Sequence, residues 1–344
     1  MGVAITELLS GKEIDIKELK GKKIAIDAFN IIYQFLTTLR GSDGKPLKNS
    51  KGEVTAHLKG LLSRNLQFLK EGIFPIYVFD GEAPDLKKRE RERRKEIRES
   101  NRRLYEVAKE RNDFEGMRKY SQRLIHIDED IIKSSKKLLS FLGIPFVQSP
   151  SEGEAQAAHL VKKGDADFVI TQDADAILVG APFVIRNLSV VRRKKKRNKF
   201  STEKIVPKVY SLADTLNQLG IDINQLRVLA MCVGTDYNVG GIKGLGPKKA
   251  LKIVKEYGTD FELLFQDYEW DKFFDVSWRE VKQFLENIPV TDEYKLEWKE
   301  VKKKELIEWL VNDKEFTEET LKNSLKILEK IEEEQKQKGL TDFF

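Results

Sequence analysis

Short apolar runs that end in acidic residues recur along the chain and read as buried strands. They are 22–30, ending in Asp27; 74–81, ending in Asp80; 166–180, ending at Asp173 and Asp175; and a fourth candidate, 182–187. Helical periodicity lies between them, as at 55–70 and 131–142. This alternation predicts an α/β fold with a mostly parallel central sheet and helices on both faces. Ligands of such sheets bind beyond the carboxyl ends of the strands, so the acids are expected to meet there.

The rest of the chain divides by charge and glycine content. A charged insertion at 84–127 interrupts the alternation, and 222–258 reads as two helices joined by a glycine-rich turn. A final charged helix is predicted at 317–337. We therefore expect one domain over 1–330, followed by a flexible tail at 331–344.

Composition narrows the class of protein. Of 344 residues, 40% are hydrophobic, which is enough for a large core, and the net charge of +6 suits a polyanionic partner or simply solubility. There is no apolar run of 18 residues, so no membrane span is predicted. The single cysteine, Cys232, excludes a disulfide within the chain and favours a reducing compartment, which we take to be the cytoplasm because no targeting signal is seen.

Seven acids are candidate metal ligands: Asp27, Asp80, Glu152, Glu154, Asp173, Asp175 and Asp236. On an extended chain Asp173 and Asp175 would face the same way. Glu152 and Glu154 precede a helical pattern, where the helix dipole alone would favour them. Gathered at one edge, however, the carboxylates would repel one another and need a compensating cation.

Oxygen ligands without histidine or cysteine suit Mg²⁺, with Mn²⁺ as a substitute, and the three histidines show no zinc spacing. Two such ions can clamp a phosphodiester and activate water. The acids therefore predict a two-metal site that acts on nucleic acid.

The insertion carries a basic stripe. On a helix, five residues fall within a sector of roughly 80°: Lys87, Arg91, Arg94, Arg98 and Arg102. A solvated helix held by ion pairs one turn apart is the alternative. Segregation of the basic residues on one side favours phosphate contact. A second basic run, 192–199, reads as a loop or hairpin tip.

The segment VGGIKGLGPKKALKIV (239–254) is the most specific local motif. Gly241, Gly244 and Gly246 permit a tight turn, and the following helix N-terminus attracts phosphate. Three lysines add charge: Lys243, Lys248 and Lys249. The alternative is a simple connector. No base-reading group is evident, so binding independent of sequence is predicted.

Taken together, the motifs resemble those of the flap endonucleases, structure-specific 5′ nucleases with a PIN-like fold. They are IAIDAFNIIYQFL, IYVFDGEAPDLK, SPSEGEAQAAHL, VITQDADAILVG and GTDYNVGGIKGLGPKKA, in family order. The resemblance runs over essentially the whole chain and is nearest to the archaeal members. It implies that 84–127 is a helical arch and that 222–258 is a helix–two-turn–helix module with a K⁺ site.

The same resemblance implies roles for single residues. Asp27, Asp80, Glu152 and Glu154 would bind one ion, and Asp173, Asp175 and Asp236 the other. Lys87 and Arg94 would polarise the scissile phosphate, and Tyr33 would stack on the neighbouring base. The resemblance also implies that Gly2 lies near the site and that loop 40–55 receives a 3′ overhang. Apart from the resemblance, the basic stripe predicts that Arg91 and Arg98 contact DNA.

The chain ends in Gln-x-x-Leu-x-x-Phe-Phe, at Gln337, Leu340, Phe343 and Phe344. This pattern resembles the peptide that docks on DNA sliding clamps. Folding of the tail onto its own core is the alternative.

The predicted function is cleavage of 5′ flaps of branched DNA at the junction of single and double strand, with 5′→3′ exonuclease activity, in Okazaki fragment maturation and repair. Related alternatives are a 5′→3′ exonuclease and a bubble-cutting repair nuclease. A junction-binding protein without catalysis is the alternative from another class. A monomer is expected.

Overall fold

A computed structural model describes residues 5–41, 43–188, 193–195, 202–204 and 206–341. Its strands are β1 (Lys12–Glu13), β2 (Lys23–Asp27), β3 (Phe74–Phe79), β4 (Phe146–Gln148), β5 (Phe168–Ile170), β6 (Phe183–Arg186), β7 (Arg193–Lys195), β8 (Thr202–Lys204) and β9 (Lys208–Ser211). Its α-helices are α1 (Ala28–Thr38), α2 (Ala56–Lys70), α3 (Lys88–Glu110), α4 (Phe114–Ser121), α5 (Glu129–Phe141), α6 (Gly153–Lys163), α7 (Asp175–Leu178), α8 (Leu212–Leu219), α9 (Ile223–Val233), α10 (Pro247–Tyr257), α11 (Phe261–Asp267), α12 (Trp278–Glu286), α13 (Lys303–Glu308) and α14 (Glu318–Thr341).

Seven strands form one sheet in the order β1-β9-β6-β5-β2-β3-β4. The five strands from β6 to β4 are parallel, and β9 pairs antiparallel with both β6 and β1. The chain leaves β2 towards β3 and β4, then returns to the other side of β2 as β5. The sheet therefore has a topological switch point between β2 and β5, where such folds bind ligands.

Helices cover both faces of the sheet, as the sequence predicted. On one face, Ala25 and Val78 point into a core shared with α6, α7, α9 and α10. On the other, Ile26 and Tyr77 point into a core shared with α1, α2, α5 and α14. Strand β2 is buried on both faces because side chains alternate along it, which accounts for its nearly continuous apolar sequence.

The sequence predicted that the third strand reaches Asp175 and that Asp173 and Asp175 lie on extended chain, and both expectations were wrong. Strand β5 ends at Ile170, and Asp175 begins helix α7, so Asp173 and Asp175 do not lie on one extended segment. The chain turns because the Thr171 hydroxyl accepts a hydrogen bond from the Asp173 N–H, at 3.1 Å. Helix α7 then buries Ile177 and Leu178 in the first core.

The final helix is longer than the sequence predicted. Helix α14 runs through residue 330 to Thr341, four residues beyond the predicted end at 337. Leu328 is buried in the second core, and Ile331, one residue beyond the proposed boundary, is also buried. The residues that follow are mainly Glu, Lys and Gln without proline, and these have high helix propensity. Within the described residues, no helix is both long and apolar enough to cross a membrane.

Candidate active site

Asp27 and Asp173 meet across the switch point. Asp27 ends β2 and caps α1, where its Oδ1 accepts a hydrogen bond from the Asn30 N–H at 3.0 Å. The Asn30 side-chain Nδ2 donates to Asp173 Oδ2 at 3.1 Å. One asparagine, three residues beyond the strand end, therefore joins the acids of two neighbouring strands.

Asp80 is held at the start of helix α6. Its Oδ1 accepts a hydrogen bond from the Gly153 N–H at 2.7 Å, and Gln148 Nε2 donates to the Asp80 carbonyl at 2.7 Å. A Cβ at position 153 would lie 2.6 Å from Asp80 Oδ1. A side chain there would force Asp80 Oδ1 to shift, so the glycine between Glu152 and Glu154 suits this close approach.

Glu154 occupies the first turn of α6 and faces the turn after β5. Its Oε1 accepts a hydrogen bond from the Thr171 hydroxyl at 2.8 Å, and the same hydroxyl holds the Asp173 N–H. Thr171 therefore orients two predicted ligands at once.

Glu152 and Asp236 lie with two basic side chains of the insertion. Lys87 Nζ is 2.7 Å from Glu152 Oε1 and 3.4 Å from Asp236 Oδ2. Arg94 Nη2 donates to Asp236 Oδ2 at 2.9 Å. The basic pair predicted to act on phosphate thus contacts the acids directly.

A small cleft joins these groups. Its polar lining is Lys87, Glu152, Glu154, Asp175, Thr235, Asp236 and Tyr237, and we call it the acidic cleft. The Tyr237 hydroxyl donates to Glu152 Oε2 at 2.6 Å, and Lys87 Nζ lies 5.4 Å from the centre of the Tyr237 ring. Asp236 and Tyr237 follow the end of α9, where buried Asn238 anchors the turn by donating to the Met231 carbonyl at 2.7 Å.

Crowding and burial perturb the acids. Burial, and then the carboxylates of Asp80 and Asp173, raise the pKa of Asp27 to about 8. Burial raises the pKa of Asp80, and burial followed by Asp175, Asp27 and Asp173 raises that of Glu154 well above its usual range. Neutral acids at neutral pH are what desolvation and mutual repulsion produce when no cation offsets them.

The raised pKa of Lys87, in contrast, favours the charged form of its side chain. Burial opposes its charge, but Glu152 and Asp236 outweigh this effect and raise the pKa of the ammonium above its usual value. The carboxylates of the acidic cleft therefore stabilise the Lys87 ammonium strongly.

The donor set fits a hard divalent cation. It consists of carboxylate oxygens, which are the ligands such cations prefer. The pKa values of two of its buried members, Asp27 and Glu154, are raised by burial and by neighbouring carboxylates, and a bound cation would offset both effects. In this conformation, no three His, Cys, Asp or Glu side chains among the described residues converge closely enough to hold a metal ion. Asn30 joins Asp27 to Asp173, and Lys87 joins Glu152 to Asp236.

The insertion 84–127, which we call the arch, consists of α3 and α4. Tyr105, Ala108 and Met117 form a small core of its own. Arg91 and Arg102 are exposed and Arg98 half-buried; among the described residues, none of the three has an acidic partner within ion-pair distance. Three of the five residues of the basic stripe are therefore not neutralised by an ion pair, whereas Lys87 and Arg94 are.

The arch is attached to two other predicted DNA contacts. Arg40, at the start of loop 40–55, donates through Nη1 to Ser121 Oγ at 3.0 Å, and the Tyr105 hydroxyl donates to the Asp43 carbonyl at 3.2 Å. Tyr33 is 44% exposed, and its hydroxyl donates to the Gln122 carbonyl at 3.4 Å.

The glycine turn has one apolar side and one basic side. Ile242, Leu245 and Ala250 are buried, whereas Gly244, Gly246 and the three predicted lysines are exposed: Lys243, Lys248 and Lys249. Gly241 has φ +61°, and a Cβ there would lie 2.3 Å from the Val233 backbone. The predicted pair of helices with a tight glycine-rich turn is confirmed, with Pro247 as the first residue of α10.

Other predicted sites lie wholly or partly beyond the described structure. Gln337 and Leu340 lie on the backbone of α14, while Gly2, Phe343 and Phe344 lie outside the described residues. Within the basic run 192–199, the described backbone forms strand β7, which pairs antiparallel with β8; this part of the run is therefore a strand and not the predicted loop or hairpin tip.

Sequence reasoning missed five residues that support the site: Asn30, Glu90, Gly153, Thr171 and Tyr237. Gly153 and Tyr237 are neighbours of predicted ligands, so their positions in the motifs were a usable signal. Glu90 sits in a run of alternating charges and gave no such signal.

Two family models match most of the regions that build this site. Residues 2–101 match the XPG N-terminal domain, and residues 143–236 match the XPG I-region. A flap endonuclease 1 from Pyrococcus abyssi is 46% identical over 344 residues, covering 100% of this chain and 98% of the relative. One from Korarchaeum cryptofilum is 44% identical over 334 residues, with 97% and 96% covered.

Solved structures agree with these matches. Flap endonuclease-1 from Methanococcus jannaschii superposes with a TM-score of 0.75 at 36% identity, over 96% of this chain and 98% of that one. The catalytic core of Rad2 in complex with DNA substrate shares the fold, with a TM-score of 0.66 at 24% identity over 94% and 97%. With its acids gathered at the switch point and its basic arch above them, the chain belongs to the flap endonuclease family of XPG-type nucleases.

Proposed function

We propose that this protein is a metal-dependent endonuclease that cleaves 5′ flaps of branched DNA where single strand meets duplex. The observation that carries the proposal is the group of buried, proton-retaining carboxylates at the switch point, faced by Lys87 and Arg94 from the base of the arch. Phosphodiester hydrolysis needs a polyanionic substrate to approach acids. Cations between the two make that approach favourable.

The seven acids would hold two divalent ions, Mg²⁺ with Mn²⁺ as a substitute. When bound, such ions neutralise the scissile phosphate and activate a water molecule. Glu154 and Asp173 are already oriented by Thr171, and Asp27 by the Asn30 N–H. These hydrogen bonds fix the starting positions from which the carboxylates would move onto the ions.

Lys87 and Arg94 would change partners during the reaction. Both now pair with carboxylates of the acidic cleft. With these carboxylates engaged as metal ligands, the ammonium and guanidinium groups would be free to bind the scissile phosphate and to stabilise the charge that develops on it. The same two side chains thus serve as counter-ions before substrate binding and as phosphate ligands after it.

The exposed side of the glycine turn would grip one duplex strand through backbone N–H groups and its lysines, with a K⁺ ion at the turn. Arg91 and Arg98 would guide the flap along the arch, and Tyr33 would stack on the base beside the cut. Loop 40–55 would receive a 3′ overhang. Gln337, Leu340, Phe343 and Phe344 would bind a sliding clamp, and the protein would act as a cytoplasmic monomer in Okazaki fragment maturation and repair.

The test is cleavage of an end-labelled 5′ flap with and without Mg²⁺, beside a blunt duplex and a single strand. Asp173→Ala is expected to lose cleavage by several orders of magnitude while it still binds the flap. Asp214→Ala, which removes an exposed acid paired with Lys12, is the control and should cleave normally. Full activity of Asp173→Ala would overturn the proposal, and binding without any Mg²⁺-dependent product from the wild type would favour the non-catalytic junction binder.

A further inference from the structure

Glu90 is a buried acid on a helix whose other acids face solvent. It is 2% exposed. The other five glutamates of α3 are exposed: Glu92, Glu96, Glu99, Glu106 and Glu110. A carboxylate withdrawn from water at one position of such a helix requires specific partners.

Both partners of Glu90 are guanidinium groups. Arg93 Nε donates to Glu90 Oε2 at 2.8 Å and Arg93 Nη2 to Oε1 at 3.2 Å, while Arg94 Nε donates to Oε1 at 2.7 Å. Arg94 reaches onward, and its Nη2 donates to Asp236 Oδ2 at 2.9 Å. Arg94 is therefore held at two nitrogens by two carboxylates, one on its own helix and one in the acidic cleft.

Glu90 keeps its charge in this position. Burial alone would raise its pKa, but hydrogen bonds from Arg93 and Arg94 outweigh burial and lower it. An arginine side chain loses rotamer entropy when it is fixed in one orientation. Because Arg94 Nε is fixed by Glu90, part of that loss occurs before DNA arrives.

We propose that Glu90 is a positioning residue that aims the Arg94 guanidinium at the place where the scissile phosphate enters the acidic cleft. The inference rests on the proposed function, since it takes phosphate as the group that Arg94 meets. When phosphate replaces Asp236 at Nη2, Glu90 still holds Nε, so the guanidinium changes partner without losing its orientation. Without Glu90, the side chain can swing into solvent once Asp236 is displaced.

The experiment measures single-turnover cleavage of a labelled 5′ flap at saturating enzyme and Mg²⁺. Glu90→Ala is expected to cleave on the order of 10- to 100-fold more slowly, because misplacement by about 1 Å has effects of that size. Its affinity for the flap in EDTA should stay within about twofold, since it is not itself a DNA ligand. Glu90→Gln keeps an oxygen acceptor for Arg94 Nε and should recover part of the rate.

Glu92→Ala and Glu92→Gln are the matched controls. Glu92 lies on the same helix, is exposed and, among the described residues, has no ion-pair partner. Both variants should cleave at the wild-type rate within about threefold.

A double-mutant cycle separates positioning from a general structural role. In an Arg94→Ala background, Glu90→Ala should slow cleavage by less than about twofold, because the residue through which it acts is gone. Multiplicative losses, or a wild-type rate for Glu90→Ala, would overturn the inference. Thermal unfolding shows whether Glu90→Ala folds. If it does not, Glu90→Gln replaces it in the test, and cleavage by Glu90→Gln at the wild-type rate would likewise overturn the inference. A wild-type rate for Arg94→Ala would instead contradict the role of Arg94 in the proposed function.

Discussion

The protonated state of Asp27 makes the metal-free protein less stable as pH rises. Burial, with Asp80 and Asp173 nearby, raises the Asp27 pKa from 3.8 to about 8. The folded state therefore holds a proton that the unfolded state releases above about pH 4. For an acid with a raised pKa, stability is fully present below the unfolded value and is lost as pH rises through the folded one. The window is thus about pH 4 to 8.

Within that window, each pH unit changes the free energy of unfolding by about 1.36 kcal/mol for one proton. From pH 5 to pH 7, Asp27 alone is expected to remove about 2.5 kcal/mol. Asp27→Asn removes the titration but keeps the helix cap, because the amide oxygen can still accept from the Asn30 N–H. Between pH 5 and pH 7, the free energy of unfolding of Asp27→Asn should therefore fall by about 2.5 kcal/mol less than that of the wild type.

Denaturant unfolding in EDTA at pH 5, 6 and 7 measures both proteins. The informative quantity is the difference between their pH slopes, since groups distant from Asp27 titrate equally in both. Asp214→Asn, at an exposed site on α8, should follow the wild type. Parallel curves for the wild type and Asp27→Asn would refute the claim that repulsion and burial keep this carboxylate protonated.

Two further predictions concern the glycine turn. Gly241→Ala should destabilise the fold by about 3 kcal/mol or more, because its Cβ would meet the Val233 backbone at 2.3 Å. Gly244→Ala has open space around the new Cβ and should lose only about 1 kcal/mol, through its φ of +85°. Equal losses of the two variants in denaturant unfolding would contradict this prediction. Lys248→Ala should weaken duplex binding and reduce the slope of log affinity against log salt by about one. Lys252 pairs with Glu256 at 3.6 Å, so Lys252→Ala should keep the wild-type slope. Fluorescence anisotropy across a salt series compares the two variants.

Local patterns in the sequence were enough to predict the layers and most of the acids of the site. Asp27 and Asp80 follow apolar runs, and the carboxyl ends of parallel strands meet at one edge whatever the order of the strands. The glycine turn was equally predictable, because Gly241 and Pro247 impose local backbone geometry that depends on few distant contacts.

The order of the strands and the partners of the side chains depended on tertiary structure. Strand β5 lies beside β2 only because the chain returns across the sheet, and this return brings Asp173 to Asn30. Burial of Glu90 likewise could not be read from a run in which charges alternate. Periodicity reports which face of an element is apolar, whereas the surroundings of a polar group depend on elements distant in sequence. Sequence by itself therefore determined the kinds of groups at this edge, and packing decided which of them touch and which keep their protons.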